Sequence, residues 1–198
     1  MTPAAIGLRT HSGWAVAIVV SLKGCTPEVR RRVRIEMVNG TSPGGKQPYH
    51  HAEPMECKAA EALIGRATES ANRLALQAIA ALLSQLRDEG YEAVGAGLLA
   101  ASGRPLGDLE SILASHAAIH SAEGELYRNA LAQACAQRHI ACERIREKEI
   151  MEVGGKLLGI APAKLAVQLT ELGRSVGRPW TQDEKVATLA GWLTLARA

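Results

Sequence analysis

Not one phenylalanine occurs in the 198 residues, and aromatic residues make up only 3% of a chain that is 47% hydrophobic. A core must therefore be assembled from Ala, Leu, Val and Ile, whose short side chains bring helices close against a sheet. At this length roughly 70% of the unfolded surface can be buried, enough for one domain without disulfides or metal staples. The four cysteines include no CxxC pair and no metal-like spacing with histidine, so reduced, structural thiols are expected. A formal charge of +3 is too small to imply a polyanion partner by itself, because non-specific nucleic-acid binding needs clustered phosphate contacts. The start lacks a basic, then uninterrupted apolar segment, and no run approaches the ~20 apolar residues of a membrane helix. These features predict a cytoplasmic protein with no membrane partner.

Residues Ala4–Arg9 and Trp14–Leu22 are β-rich runs joined by Thr10-His11-Ser12-Gly13, a polar connection with the glycine a hairpin favours. Next, Val29–Val38 alternates Val33, Ile35 and Met37 with Arg32, Arg34 and Glu36, as a half-buried third strand would. Residues 39–54 are rich in Gly, Pro and Ser and read as a mobile loop that Pro48 and Pro54 keep out of helix. An Ala-rich amphipathic helix is expected over Met55–Glu89, ended by Gly90. Tyr91–Ala101 suits a buried strand, followed by a turn at Ser102-Gly103-Arg104-Pro105. A second helical stretch runs from Asp108 to about Arg138, with Gly124 as a point of interruption, and Ile140–Glu147 alternates as a strand. Two or three helices fill residues 150–198. The order β-β-β-α-β-α-β-α implies a single domain over 1–198 with one mixed sheet covered by helices.

The segment Ala5-Ile6-Gly7-Leu8-Arg9-Thr10-His11-Ser12-Gly13-Trp14-Ala15-Val16 resembles the first hairpin of the RuvC-type Holliday-junction resolvases and their relatives in the ribonuclease H-like superfamily. That hairpin opens with an apolar-Gly-apolar-Asp-Pro-Gly segment and continues with a Gly-aromatic-small-Val strand. Ile6, Gly7, Gly13 and Trp14 fit, while Arg9 stands where the acid belongs. Gly154-Gly155-Lys156-Leu157-Leu158-Gly159 with Ala161-Pro162-Ala163-Lys164 is similar to a late segment of the family, and Asp183-Glu184-Lys185-Val186-Ala187-Thr188-Leu189-Ala190 to its closing motif. There Asp183 matches the first acid and Val186 replaces the second. A further Glu ends the fourth strand of the family, but Gly95-Ala96-Gly97-Leu98-Leu99-Ala100-Ala101 contains no carboxylate. The resemblance implies a ribonuclease H-like α/β fold, a three-strand antiparallel meander followed by alternating helices and parallel strands, with one of four expected acids retained. It also implies that Arg9 and an acid of the last helix, Asp183 first and Glu184 second, face each other across a degenerate site.

Two-metal phosphodiester hydrolysis needs carboxylates to hold its cations about 4 Å apart, and a guanidinium among them is a permanent positive charge. A purely structural role also suits the acids, since Thr181 and Glu184 form a T-x-x-E capping box and first-turn acids suit the helix dipole. Gly40-Thr41-Ser42-Pro43-Gly44-Gly45-Lys46-Gln47 approaches a P-loop, but Gln47 replaces the Mg²⁺-binding hydroxyl and Pro48 removes an amide donor. His116 and His120 lie four apart on one helical face with Glu123 one turn on, a spacing fit for a metal or for a hydrogen-bonded histidine pair. His50 and His51 fall in the mobile loop, where no preformed site is inferred. Arg30, Arg31, Arg32 and Arg34 form the one dense basic run, able to track phosphates or to guard an edge strand against unwanted pairing. Ser102 follows a buried strand but lacks a G-x-S-x-G elbow and reads as a turn residue.

Taken together, these features predict a noncatalytic ribonuclease H-like protein that binds nucleic acid or a protein partner through the face of the degenerate site, with a homodimer compatible. The alternative is an enzyme of divergent chemistry in the same cleft, a residual nuclease or a hydrolase in which His11, His116 or His120 moves a proton or holds a metal. No cofactor is required by either, and Zn²⁺ and Mg²⁺ both stay open.

Overall fold

The computed structural model describes residues 1–101 and 105–198, so the turn expected at Ser102-Gly103-Arg104, and Ser102 itself, lie outside the described residues. Strands β1 (Thr2–His11), β2 (Trp14–Lys23) and β3 (Thr26–Glu36) form an antiparallel meander. Helices α1 (Pro48–Ala52) and α2 (Cys57–Asp88) lead to β4 (Tyr91–Ala100), and α3 (Leu109–Leu113) and α4 (His116–Gln137) lead to β5 (Cys142–Arg146). Helices α5 (Ile150–Leu158), α6 (Pro162–Val176) and α7 (Gln182–Arg197) complete the chain. The sheet order is β3-β2-β1-β4-β5, with β4 parallel to both β1 and β5. None of the described helices is long and apolar enough to cross a membrane.

Strand alternation separates two helical layers. Ala4, Ile6 and Leu8 of β1, with Ala15, Ala17 and Val19 of β2, face α2 and α4 and pack on Ala75, Ile79, Leu131 and Ala134. Val16, Ile18 and Val20 of β2 point the other way, to Val186, Leu189 and Leu193 of α7 and Leu165 of α6. The hairpin is tighter than its polar linker suggests. Thr10 and His11 stay in β1, His11 pairs with Trp14, and only Ser12 and Gly13 turn, with Gly13 at φ +83°.

On the α7 side the backbones of helix and sheet nearly touch. A Cβ on Gly7 would fall on the Ala187 carbonyl, and one on Gly97 would lie 2.6 Å from the Ala190 oxygen. The cross-over is possible only because glycines of β1 and β4 meet Ala187, Ala190 and Gly191 of α7, which is the close packing the small-residue core implies.

Two expectations are corrected. Pro48 starts α1 instead of preventing it: at the first helical position its missing amide is one that the helix would leave unpaired anyway. The stretch 39–54 is accordingly built, with Asn39 Oδ1 accepting from the Thr41 amide at 3.0 Å and the Tyr127 hydroxyl donating to the Lys46 carbonyl at 2.9 Å. The second long helix does not break at Gly124, which lies inside α4, but at Ala114-Ser115, where the Ser115 hydroxyl accepts from the Ala118 amide and caps a new helix.

Substitution Gly7→Ala should therefore destabilise the protein by about 3 kcal/mol, the upper end of ordinary overpacking costs, in urea unfolding. Gly65→Ala, inside α2 with open space around it among the described residues, should instead stabilise by about 0.5–1 kcal/mol.

Candidate functional site

Odd-numbered residues of β1 face α7, so the strand that brings Gly7 under Ala187 carries Arg9 and His11 along the same face. One helical turn back from Ala187, Asp183 stands in the first turn of α7. Arg9 Nη1 donates to Asp183 Oδ1, and its Nη2 and Nε donate to Glu147 Oε1 at 2.9 and 3.3 Å. The guanidinium thus lies between two carboxylates, at 21% side-chain exposure against 22% for Asp183 and 41% for Glu147.

His11 completes the group. Its Nε2 is 2.7 Å from Asp183 Oδ2 and 3.0 Å from Arg9 Nη1. A guanidinium nitrogen only donates and an ionised carboxylate only accepts, and one ring nitrogen cannot do both at once. The shorter contact assigns the proton to Nε2, donated to Asp183. The imidazole stacks on Trp14 at 4.2 Å, 9° from parallel, and the Arg34 guanidinium lies 3.6 Å from the centre of that indole.

The second acid of the last helix points elsewhere. Glu184 is buried, and its Oε2 accepts from the Thr181 amide at 2.7 Å and hydroxyl at 2.6 Å, one half of a complete capping box. Burial alone would raise its carboxyl, but the Thr181 bonds and the Arg32 charge hold it below the usual value. Of the pair, Asp183 meets Arg9 and Glu184 anchors the helix that presents Asp183.

Glu147 escapes a motif-based reading, because the family pattern places its acid at the end of β4. It follows β5, which lies parallel beside β4, and the carboxyl ends of parallel strands converge on one crevice. That rule is the signal that marks it.

The basic run splits between the sheet faces. Arg31 reaches Glu89 at the end of α2, whereas Arg32 donates to the carbonyls of Gly177, Arg178 and Pro179 before α7. Arg30 binds Ser21 and Glu28, and Arg34 binds Glu36. All four guanidiniums thus have partners within the chain, on the edge strand β3.

His116 and His120 meet through their Nε2 atoms at 3.1 Å on the first turns of α4. Glu123 does not join them as a neighbouring ligand. It is 2% exposed, and its Oε1 accepts from the Tyr49 and His50 amides of α1, where burial pushes its carboxyl up against the opposing His50 bonds. His50, on α1 instead of in an unstructured loop, is the histidine that approaches the pair.

At the ends of β4 and β5 lies an open groove of about 1080 Å³ whose lining includes Ala100, Ser121, Glu125, Arg128, Arg144 and Arg146, with Arg128 and Arg144 both paired to Glu125. Its rim continues through Glu147 and Lys148.

No family model and no curated protein matches the sequence. Among solved structures, the chain is similar to the T. thermophilus RuvC in complex with Holliday junction substrate, at a TM-score of 0.55 with 98% of this chain and 94% of that chain covered and 11% identity. The fold is ribonuclease H-like. A second RuvC structure from Thermus thermophilus agrees, at a TM-score of 0.52, 11% identity and coverage of 100% and 96%. The ribonuclease H-like layout accounts for the convergence of β1, the ends of β4 and β5, and α7 on one crevice.

Arg9→Ala should cost about 1–3 kcal/mol, between the values for buried and exposed ion pairs, because it strands Asp183 beside Glu147. Arg31→Ala, which breaks a more exposed pair with Glu89, should shift the urea midpoint less than Arg9→Ala does. Glu184 titrates lower in the folded than in the unfolded chain, so its stabilisation is complete above its ordinary value of 4.5 and is lost as pH falls through the lower folded value. The stability difference between wild type and Glu184→Gln should accordingly shrink as unfolding is followed below pH 4.5.

Proposed function

We propose that this protein binds structured nucleic acid without cutting it, using the crevice at the carboxyl ends of β1, β4 and β5. The observation that carries the proposal is the Arg9 guanidinium held between Asp183 and Glu147. A pair of divalent cations about 4 Å apart needs several free carboxylate oxygens. Here both Asp183 oxygens are engaged by Arg9 and His11, Glu147 Oε1 is taken by Arg9, and β4 ends in Ala100-Ala101. These residues do not fit a cation pair, because a covalently attached guanidinium already engages three of their four oxygens together with His11 and offsets one of the two negative charges.

Support for a nucleic-acid ligand comes from shape and charge together. The groove at the ends of β4 and β5 is lined by Arg128 and Arg144, both paired with Glu125, and by Arg146, paired with Glu149, and exposed Arg146 and Lys148 flank Glu147 at its rim. Such a rim suits approaching phosphates, with Arg146 and Lys148 countering the carboxylate charge that Arg9 leaves over. One of the similar solved structures holds a Holliday junction substrate, which makes a four-way junction the natural probe.

A second function, hydrolysis with His11 as proton carrier, is favoured by one contact, the 2.7 Å bond that orients His11 on Asp183. Both functions are tested with a labelled four-way junction. Binding should weaken steeply with salt, and the double variant Arg146→Glu/Lys148→Glu should lose at least about tenfold in affinity, with no cleavage in Mg²⁺ or Mn²⁺. Metal-dependent cleavage abolished by Asp183→Ala would overturn the noncatalytic assignment. Metal-independent turnover lost in His11→Ala would establish the second function in its place.

A further inference from the structure

We propose that His50, His116 and His120 form a three-histidine site for a zinc-class divalent cation, with Glu123 as the positioning residue that aims His50 at the metal. The site belongs to the helical layer opposite α7 and is independent of the Arg9 crevice, since its residues come from α1 and α4.

The geometry begins with the i, i+4 spacing. His116 and His120 project from successive turns of α4 with their Nε2 atoms 3.1 Å apart. Two imidazole nitrogens bound to one tetrahedral cation at 2.0–2.1 Å would lie about 3.3 Å apart, so this pair already has the span of a chelate. One ligand nitrogen from each of the three histidines falls within 4.8 Å of the other two. The rings gather around one point, with centroids 4.7 Å (His50–His120), 5.4 Å (His50–His116) and 4.5 Å (His116–His120) apart.

Glu123 supplies an independent observation. Its Oε1 accepts from His50 Nδ1 at 3.2 Å as well as from the Tyr49 and His50 amides. A carboxylate that accepts at Nδ1 places the proton there and leaves the Nε2 lone pair free, the carboxylate–histidine–metal arrangement that orients ligands in zinc proteins. Glu123 is almost fully buried, yet its Oε2 has no hydrogen-bond partner among the described residues. A half-paired buried carboxylate is expensive, and a cation on the far side of His50 would compensate it. Glu123 therefore acts from behind His50 instead of as a ligand.

The donor set selects the class of cation. Three neutral imidazoles suit Zn²⁺, Co²⁺ and similar ions, whereas Mg²⁺ and Ca²⁺ require oxygen ligands. His116 and His120 are exposed, so a fourth position is open to water or a small anion. A bound ion would also join α1 to α4, pinning the segment in which the sequence pattern alone suggests a loop.

The test uses the full chain, stripped with a chelator and titrated with Zn²⁺ by calorimetry and with Co²⁺ by visible absorption. One Zn²⁺ should bind per chain, Co²⁺ should show the intense visible bands of tetrahedral coordination, and the melting temperature should rise with Zn²⁺ concentration. His116→Ala/His120→Ala, at exposed positions that spare the fold, should abolish the cobalt bands and weaken Zn²⁺ binding at least about 100-fold. Glu123→Gln, acting one shell out, should cost about 10–100-fold. His51→Ala, exposed and outside the cluster, should bind as wild type. The assignment is overturned if no saturable Zn²⁺ binding occurs, if binding survives the His116→Ala/His120→Ala change, or if His51→Ala weakens it as much as His50→Ala does.

Discussion

Everything around the crevice depends on how closely α7 lies on the sheet. Gly7 and Gly97 remove the side chains that would hold the helix off β1 and β4, and Ala187, Ala190 and Gly191 let its backbone descend onto them. From the Gly7–Ala187 contact, two residues along a strand advance about 6.6 Å and four residues back along a helix about 6 Å. The helix runs back over the strand, so the two steps arrive together and Arg9 meets Asp183. A side chain on Gly7 or Gly97 would widen this spacing, which ties those two glycines directly to the ion pair.

The pair is in turn the centre of a wider group. Arg9 binds Asp183 and Glu147, Asp183 holds His11, and His11 stacks on Trp14, which also carries Arg34. The group therefore connects β1, β2, β3, α7 and the segment after β5. The capping box of Thr181 and Glu184 fixes the start of α7 and with it the direction of Asp183. This division of labour between adjacent acids explains why one faces the crevice while the other is buried.

Local signals and long-range ones differ in how far they can be read. The alternation of Val33, Ile35 and Met37, the turn glycine Gly13 and the Ala-rich face of α2 are visible because each lies within a few residues of what it shapes. Pro48 misleads because its effect reverses with position, blocking a helix from inside but starting one at the first turn. Arg30 to Arg34 form a single block in sequence, yet strand alternation sends Arg31 and Arg32 to partners on opposite faces 58 and 145 residues away. Block composition therefore says little about the surface it makes.

By itself the sequence determined the order of the strands and long helices, the small-residue core, the guanidinium on β1 at Arg9 and the capping of α7, since these are set by residue type and short spacing. Only the tertiary structure decided that Asp183 and not Glu184 meets Arg9, that Glu147 joins them, and which histidine approaches His116 and His120. Glu147 lies 138 residues from Arg9, and His50 approaches α4 because Glu123, 73 residues away, binds its amide. Such partners are chosen by the packing of helices on a sheet, and no local propensity encodes that distance.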